Sequence, residues 1–340
     1  MQSIRVEDAV GAVLCHDITK IVPGGFKGPA FKKGHVINEA DIPELLKLGK
    51  EHIFVWEAHD SQVHEDEAAI RLANAVKGQG ISLTEPKEGK VNLLADYDGM
   101  SLINEGLLIE INMIEEIAVA TRNNRRPVKK GDVIAGVRVI PLLIEEQKLQ
   151  LIERMGRNNE IAAVRPFRPL KAGIVTTGSE VFHNRIEDRF SPVVKAKIES
   201  YGCEVIKQLV VPDNPVEITR AIDWLINRGA ELVLTTGGMS IDPDDVTPAA
   251  IRATGADIVS YGAPVLPGAM MMVAYLGNIP ILGLPGCVMY HKTTVFDLII
   301  PSVLSGEKIS KGMLARLGLG GLCLYCDVCR YPDCSFGTGA

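Results

Sequence analysis

The sequence lacks any apolar run long enough to cross a membrane. Its most apolar stretch, residues 270–284, is interrupted by a glycine, an asparagine and a proline, whereas a membrane-spanning helix needs about 20 consecutive apolar residues. Residues 1–5 carry no signal-peptide pattern. We therefore expect no membrane partner and a cytoplasmic location.

An excess of positive charge is also missing. The formal net charge is −6, which gives no reason to expect a nucleic-acid partner, and the one basic cluster, Arg122 to Lys130, is typical of a solvated turn. No glycine-rich loop fits the G-x-G-x-x-G or Walker A pattern, so NAD and P-loop chemistry are disfavoured. The composition is 46% hydrophobic and 23% charged, as in folded globular proteins, and 340 residues favour two or three domains.

Cysteine is scarce in the body of the chain and concentrated near its end. Cys323, Cys326, Cys329 and Cys334 lie within residues 311–340, a segment that we interpret as a separate Cys-rich tail. Disulfides are disfavoured in the cytoplasm, and four closely spaced thiolates suit a tetrahedral zinc ion or an Fe–S cluster. A disordered tail with idle thiols is the alternative.

The first 165 residues read as short, turn-separated segments. We predict a mixed α/β segment over residues 1–58 and a β-rich, barrel or β-clip-like segment with helices over residues 59–165. Within the second segment, residues 107–111 and 117–121 are expected to be strands. Helices are expected from residues 59–61 to about 77 and over residues 142–155. A linker rich in proline and arginine, residues 165–169, marks the main domain boundary.

Beyond that linker the chain alternates regularly between strand and helix patterns. Apolar runs at residues 172–177, 204–211, 232–234 and 280–283 predict strands, and helical patterns separate them. This alternation predicts a parallel sheet with right-handed crossovers. We therefore expect a parallel three-layer α/β domain over residues 170–306.

The loop of residues 235–248 combines two glycines, a hydroxyl and three carboxylates between a strand and a helix that starts at Thr247. In an open α/β sheet, ligands bind at this edge. Glycines let backbone N–H groups approach an anion, and the helix N-terminus supplies partial positive charge. Carboxylates beside such a site predict a bridging Mg²⁺, because they would otherwise repel a phosphate.

Three small-residue loops leave strands at the same predicted edge. They are Thr177-Gly178-Ser179-Glu180, Thr236-Gly237-Gly238-Met239-Ser240 and Leu284-Pro285-Gly286. Together they favour one extended ligand cleft with a phosphate site. In the alternative interpretation, each glycine only makes a tight turn between a strand and a helix.

These loops carry a family resemblance. Residues 170 to about 306 resemble the molybdopterin-binding domain shared by molybdopterin adenylyltransferases and molybdopterin molybdotransferases, including gephyrin's second catalytic domain. The double glycine of Gly237-Gly238, followed by Asp245-Val246-Thr247-Pro248, is similar to the adenylyltransferase pattern that ends in D-x-T-P. Residues 8–18 resemble the opening A-x-G-x-x-L-x-x-D-I of the molybdotransferases, whose domain order this chain also follows.

The resemblance implies a role for individual residues. Asp245 matches an acidic position in both branches and is expected to hold Mg²⁺ against a phosphate, with Asp242 sharing the metal and Glu180 orienting the ligand. The alternative role of Asp245 is to stabilise the start of the helix at Thr247. The implied catalytic set is Asp245, Glu180 and Asp242. The implied substrate-binding set is Thr177, Gly178, Ser179, Thr236, Gly237, Gly238, Met239, Ser240, Pro267, Gly268, Pro285 and Gly286.

The sequence also departs from the family pattern. Ala269 stands where P-G-K-P has its lysine, and Cys287 and Val288 stand where L-P-G-N-P has asparagine and proline. The resemblance implies a molybdotransferase-like protein that binds molybdopterin or its adenylate and inserts molybdate with Mg²⁺-dependent AMP release. An adenylyltransferase, or a carrier or sensor that kept the pocket but lost the chemistry, are the alternatives. A homodimer and transient contact with molybdoenzymes or other cofactor-biosynthesis proteins are expected.

Overall fold

The computed structural model describes residues 2–21, 27–55, 61–240, 242–243 and 245–339. The expected boundary between residues 58 and 59, and the expected helix start at residues 59 and 60, lie outside them. The chain divides into two compact units. Unit 1 comprises Met1–Asp96, Ile103–Arg122 and Gly131–Ala163, and unit 2 comprises Tyr97–Leu102, Asn123–Lys130 and Val164–Ala340. No helix in the described ranges is both long and apolar enough to span a bilayer.

The elements up to residue 166 are short. In chain order they are β1 (Gln2–Arg5), a 3-10 helix (Val6–Asp8), β2 (Ile18–Ile21), β3 (Lys27–Phe31), α1 (Ile42–Lys47), β4 (His52–Val55), β5 (Gln62–His64), α2 (Glu65–Val76), β6 (Ile81–Leu83), β7 (Lys90–Ala95), β8 (Gly99–Ile103), α3 (Glu105–Asn112), β9 (Ile117–Thr121), β10 (Pro127–Val128), β11 (Val133–Val139), β12 (Leu143–Glu145), α4 (Glu146–Gly156) and β13 (Ala162–Pro166).

Unit 1 contains an antiparallel four-stranded sheet in the order β6-β7-β11-β9. Helix α2 packs against β7, β11 and α4. The Arg71 side chain on α2 donates hydrogen bonds of 2.7 Å to both Glu146 and Glu153 on α4, which join the two helices on their polar side. Nearer the N-terminus, β1 pairs with β4, and a small core that includes Val6, Leu14 and Leu45 packs beneath them.

The expected strand over residues 107–111 is wrong, because this stretch lies in helix α3. The Asn104 side chain accepts a hydrogen bond of 3.2 Å from the Leu107 amide and so caps the helix N-terminus. Only Ile111 of this helix is buried. The apolar run over residues 107–111 is therefore not a strand buried on both faces of a sheet. The expected strand over residues 117–121 is confirmed as β9.

Two expected helices begin later than their sequence patterns indicate. Residues 62–64 and 143–145 instead form β5 and β12, which pair antiparallel with His64 opposite Leu143 and Val63 opposite Ile144. The helices α2 and α4 start directly after these strands. Helix periodicity cannot foresee this pairing, since the partner strand lies about 80 residues away in the chain.

After residue 170 the strands and helices alternate. In chain order the elements are β14 (Lys171–Thr177), α5 (Ser179–Phe182), α6 (Ser191–Glu199), β15 (Glu204–Val211), α7 (Pro215–Asn227), β16 (Leu232–Thr236), α8 (Thr247–Ala253), β17 (Asp257–Tyr261), β18 (Met272–Leu276), β19 (Ile279–Leu284), a 3-10 helix (Gly286–Met289), α9 (Val295–Leu304) and α10 (Lys311–Arg316).

Unit 2 is built around a six-stranded sheet in the order β15-β14-β16-β19-β18-β17. The first four strands are parallel, which confirms the expected α/β sheet. The last two are antiparallel, and the sheet is therefore mixed rather than wholly parallel. A tight turn at Gly277-Asn278 joins β18 to β19, and such a short connection can only link antiparallel neighbours.

Helices cover both faces of this sheet. Side chains of α6, α9 and α10 pack on one face with Ile174 and Leu282. Side chains of α7 and α8 pack on the other face with Val175 and Val233. The expected three-layer α/β domain is confirmed, and its two cores leave the strand ends free to carry loops.

Candidate functional site

The three glycine-bearing loops leave adjacent strands at one edge of the unit 2 sheet. Thr176 of β14 is the register partner of Thr236 of β16, which is in turn the partner of Leu284 of β19. Because these strands are parallel, their carboxyl ends lie side by side. The loops that start at Gly178, Gly237 and Pro285 therefore begin at one edge.

A cavity of 540 Å³ lies at this edge, within the size range of small-molecule sites. Its lining includes the buried threonines Thr176, Thr177 and Thr236, together with Gly237. The first two loops thus contribute directly. The third contributes Met289, the last residue of its 3-10 helix, and the next residue, Tyr290.

Among the residues that the structure describes, the Thr236 hydroxyl has no hydrogen-bond partner. Its side chain is 0% exposed, and it lines the cavity. Leaving a buried polar group unpaired costs roughly 1–3 kcal/mol, so native structures rarely do so without a reason. A ligand in the cavity would supply the missing partner.

Beside Thr236, the hydroxyls of Thr176 and Ser191 form a hydrogen-bonded network with Asp188. The Thr176 and Ser191 hydroxyls lie 2.5 Å apart, and the Gln208 amide donates to both Thr176 and Asp188, at 3.1 and 2.7 Å. The amides of Phe190 and Ser191 donate to the Asp188 carboxylate. Burial alone would raise the pKa of Asp188, but these hydrogen bonds outweigh it and hold the pKa below its usual range.

The double glycine makes a turn that no other residue could make. Gly237 and Gly238 have φ angles of +88° and +57°, and a β-carbon on Gly237 would overlap the carbonyl oxygen of Thr177. The Thr247 hydroxyl donates to the Gly237 carbonyl at 3.0 Å and lies 3.3 Å from the Thr177 hydroxyl. The start of α8 is thereby fixed to the ends of β14 and β16.

Asp242 and Asp245 face each other across a turn beyond the double glycine. The Asp242 amide donates to the Asp245 carboxylate at 3.0 Å, and the Asp245 amide donates to the Asp242 carbonyl at 2.9 Å. Neither residue lines the cavity. Ile241 and Asp244 lie outside the described residues.

Mg²⁺ is usually held by one or two carboxylates together with substrate phosphates. The two carboxylates at this turn fit that donor set. The turn that carries them is closed by two hydrogen bonds, donated by the Asp242 and Asp245 amides.

The first loop is held by a partner that the sequence analysis missed. The Ser179 amide donates to the Asp213 carboxylate at 2.7 Å, and the Asp213 amide donates to the Ser179 hydroxyl at 3.3 Å. Ser179 thus fixes the loop to the end of β15, and its hydroxyl already accepts one hydrogen bond. Glu180, next to it, is exposed and lines the cavity.

Met239 and Ser240 have different surroundings. The Met239 side chain is 3% exposed and packs in the core beneath the sheet edge, so it contributes packing rather than a ligand-facing group. Ser240 is exposed. The Tyr261 hydroxyl donates to the carbonyls of both residues, at 3.1 and 3.3 Å, and holds this part of the loop.

The other expected binding residues lie away from the cavity lining. The Pro267 carbonyl accepts a hydrogen bond from the Val295 amide at the start of α9, and Gly268 packs against the same valine. Pro285 is buried, whereas Gly286 is exposed, and a β-carbon on Gly286 would meet no atom within 4 Å. Packing therefore does not require a glycine at position 286.

The tail cysteines are not gathered into a metal-ligating group. Cys323 and Cys334 pack against the core of unit 2, while Cys326 and Cys329 are exposed. All four line a second cavity of 230 Å³. Among the described residues, however, no three His, Cys, Asp or Glu side chains stand where they could hold a metal ion.

The residues that sequence reasoning missed at this edge are Asp188, Asp213 and Tyr290. Two of them left a signal. Asp188 stands three residues before Ser191-Pro192, the spacing of an acid that accepts hydrogen bonds at a helix start. Asp213 ends the motif Val210-Val211-Pro212-Asp213 directly after a predicted strand. Nothing in the sequence around Tyr290 indicates that it forms a cavity wall.

Two family models match parts of the chain. Residues 173–305 match a model described as "Probable molybdopterin binding domain", and residues 3–57 match one described as a domain of unknown function. The residues that line the 540 Å³ cavity all fall within the first match.

Two known proteins are similar in sequence to parts of this chain. A molybdopterin molybdenumtransferase of Haemophilus influenzae is 31% identical over 207 residues, which cover 57% of this chain and 48% of that protein. A CinA-like protein of a Mycobacterium species (strain MCS) is 32% identical over 90 residues, which cover 26% of this chain and 21% of that protein. The chain thus spans less than half the length of these two relatives.

Among solved structures, the molybdopterin biosynthesis enzyme MoaB from Thermus thermophilus aligns with a TM-score of 0.33 and 22% identity. The alignment covers 41% of this chain and 98% of that one.

Proposed function

We propose that this chain, which carries a domain of the molybdopterin-binding family over residues 173–305, works in molybdenum-cofactor biosynthesis. It binds molybdopterin or adenylyl-molybdopterin and inserts molybdate with Mg²⁺-dependent release of AMP. The observation that carries this proposal is the unpartnered Thr236 hydroxyl, buried in a cavity whose lining lies wholly inside the matched domain. The molybdotransferase relative at 31% identity supports the choice of reaction.

In this proposal the two ends of the loop after β16 have separate tasks. Asp245 and Asp242 hold Mg²⁺, which neutralises the phosphate charge as AMP leaves. Thr236 and the Gly237-Gly238 turn contact the ligand beside them, and Glu180 orients its polar end. Thr247 keeps the turn fixed through its hydrogen bond to Gly237.

A non-catalytic carrier is the second candidate, and two positions favour it. Ala269 and Cys287 stand where the family pattern has lysine and asparagine. Ala269 offers no cation to an anion, and Cys287 lacks the side-chain amide of asparagine. A molybdopterin adenylyltransferase remains the third candidate, supported by the D-x-T-P pattern at Asp245 to Pro248.

One assay separates the three candidates. The full chain is incubated with adenylyl-molybdopterin, molybdate and Mg²⁺, and separately with molybdopterin, ATP and Mg²⁺. AMP release in the first mixture supports the molybdotransferase, and AMP transfer in the second supports the adenylyltransferase. Binding without turnover supports the carrier. Absence of binding to either pterin contradicts all three.

Replacement of Asp245 tests the Mg²⁺ role. We expect Asp245→Asn to lower the rate of Mg²⁺-dependent turnover by about 100-fold, since removal of one group that stabilises developing charge typically costs that much. Asp257→Asn, at an exposed position on β17, is the matched control and should leave the rate unchanged. Equal rates for both variants would refute a metal-holding role for Asp245.

Two further assignments belong to the proposal. Self-association as a homodimer is consistent with exposed apolar side chains such as Ile109 and Met113, and light scattering that detects only monomer would argue against it. A cytoplasmic location and transient contact with molybdoenzymes or other cofactor-biosynthesis proteins follow from the proposed reaction.

Zinc or Fe–S binding by the tail requires Cys326 and Cys329 to turn inward from solvent toward Cys323 and Cys334. Elemental analysis of the purified chain tests it, and a metal content that Cys326→Ser leaves unchanged would speak against these ligands.

A further inference from the structure

A third cavity, of 480 Å³, lies at the edge of the unit 2 sheet opposite the glycine-bearing loops. Its lining includes Leu170, Glu231 and Ile279, which stand at or directly before the first residues of β14, β16 and β19. Because these strands are parallel, their amino ends lie side by side. Of the described residues that line this cavity, none lines the 540 Å³ cavity.

The inner wall of this cavity is apolar. Leu170, Ala230, Tyr275 and Val303 line it, and their exposed fractions lie between 2% and 7%. Walls of this kind bury the organic part of a ligand, and the volume lies within the range of about 300–1,000 Å³ found for small organic ligands. The cavity is therefore suited to more than a single inorganic ion.

Two exposed cations line the same cavity and have no carboxylate partner among the described residues. The Lys308 ammonium lies over the Tyr275 ring, 4.9 Å from its centroid. The Arg168 side chain forms no hydrogen bond or ion pair with the part of the chain that the structure describes. Both charged groups are thus available to an anion from solvent.

The two carboxylates that line the cavity already accept hydrogen bonds. Glu307 accepts from the Arg125 guanidinium at 2.9 Å and from the Ser302 hydroxyl at 2.9 Å. Glu231 accepts from the Lys171 amide at 3.0 Å. With Arg125 counted, three cations stand beside two carboxylates, and an anionic ligand would offset the excess positive charge.

Tyr275 supplies a further hydrogen-bond donor. Its hydroxyl accepts a hydrogen bond of 2.9 Å from the Ile309 amide, and its proton has no acceptor among the described residues. Burial raises the pKa of this hydroxyl, so it stays protonated and can donate to an anion.

We infer that this cavity binds a small organic phosphate monoester. The phosphate dianion meets the Arg168 guanidinium and the Lys308 ammonium, and the organic part lies against the apolar inner wall. A guanidinium matches the geometry of two phosphate oxygens, and an ammonium acts on phosphate as a compact point charge. The inference goes beyond the proposed function and does not depend on it, because the two cavities share no described lining residue.

Phenyl phosphate is the probe that tests this site. The full chain without Mg²⁺ is titrated by calorimetry at about pH 8, where a phosphate monoester is a dianion. Inorganic phosphate, which lacks the ring, and benzoate, which carries one charge fewer, are titrated in parallel. We expect saturable binding of phenyl phosphate and binding of the other two that is weaker by about tenfold or more.

Matched variants locate the binding. Lys308→Gln and Arg168→Gln should each weaken phenyl phosphate binding by about tenfold, the effect of one lost hydrogen bond to a charged group. Arg228→Gln is the control, since Arg228 is an exposed cation over the Trp224 ring at 4.8 Å and does not line the cavity. It removes the same charge and should leave the affinity unchanged, as should Asp245→Asn at the other edge of the sheet.

The outcomes decide between this site and its alternatives. Absence of saturable phenyl phosphate binding overturns the inference, and so does benzoate or inorganic phosphate that binds as tightly. Equal weakening by Arg228→Gln also overturns it, because net charge alone would then attract the anion. A lower melting temperature of Arg168→Gln and Lys308→Gln with unchanged affinity would show that these cations only stabilise the fold. None of these results bears on pterin binding, which the assay of the proposed function tests separately.

Discussion

At the scale of single residues, the groups available to a ligand are those that do not already bond to or pack against other residues of the protein. Thr236 and Thr235 are adjacent in β16 and both buried, yet only the Thr235 hydroxyl finds a backbone acceptor. The Ser179 hydroxyl already accepts a hydrogen bond from the Asp213 amide, and Met239 packs in the core. The residues of the glycine loops therefore divide into those that hold the loop and those that remain available to a ligand.

Substitution of two glycines in these loops should change the free energy of unfolding by very different amounts. Gly237→Ala forces a β-carbon onto the Thr177 carbonyl at a positive φ, and we expect it to lower the free energy of unfolding by about 1–3 kcal/mol. Gly286→Ala meets no atom within 4 Å and should change it by less than about 0.5 kcal/mol. Urea titration of both variants measures the difference.

Because Gly286→Ala should fold normally, any loss of pterin affinity in it would be an effect on the ligand. Equal destabilisation by the two substitutions would contradict the geometry described for Gly237.

At the scale of secondary-structure elements, helix α6 begins at the Asp188 network. The Asp188 carboxylate accepts the amides of Phe190 and Ser191 at 2.9 and 3.0 Å, which would otherwise lack intrahelical partners. The same carboxylate accepts from Gln208 on β15. One side chain thus joins a helix start, an edge strand and the cavity.

Stability should depend on pH through this carboxyl. Because the folded-state pKa of Asp188 lies below its unfolded value, its contribution is present above that unfolded value, near about 3.9, and is lost as the pH falls through the folded pKa. We expect Asp188→Asn to lower the free energy of unfolding at neutral pH by about 1 kcal/mol.

The difference between Asp188→Asn and the unaltered chain should shrink as the pH falls below about 4, which denaturant titrations at several pH values would measure. Asp257→Asn serves again as the exposed control. A difference that stays constant across the whole range would show that the asparagine acts through packing and not through the lost charge.

At the scale of the whole molecule, the cysteine-bearing tail is part of unit 2. The Tyr331 hydroxyl donates to the Asp297 carbonyl of α9 at 2.7 Å, and the Arg126 guanidinium lies over the Tyr331 ring at 5.2 Å. Phe336 is 4% exposed within the core that also contains α9. The tail thus packs into the same core as α9.

Truncation of Phe336 should therefore destabilise the domain. We expect Phe336→Ala to lower the free energy of unfolding by about 3–5 kcal/mol, the usual cost for a buried phenylalanine. Val328→Ala, at a position of the same tail that is 68% exposed, should change it by less than about 0.5 kcal/mol. Thermal unfolding followed by circular dichroism would measure both. Similar small effects would mean that the tail is not part of the folded core.

The sequence alone determined the architecture of residues 170–306. Alternating strand and helix patterns, with glycine and proline at their ends, specify a parallel sheet because each pattern is local and repeats at a fixed period. Since parallel strands end at one edge, the common position of the Gly178, Gly237 and Pro285 loops follows from the same pattern. The antiparallel pairing of β18 with β19 and with β17 does not follow from this alternation, because it depends on the Gly277-Asn278 turn that reverses the chain between β18 and β19.

Only the tertiary structure decided which polar atoms are free to act. That Thr236 lacks a partner while Thr235 has one, that Asp188 and Asp213 join the site, and that the four tail cysteines are split between core and solvent depend on contacts between residues distant in the chain. Helix α3 is a further example, since its apolar run is typical of a strand but the segment forms a helix capped by Asn104. Local periodicity sets where strands and helices form, whereas hydrogen-bond pairing is settled only when they pack together.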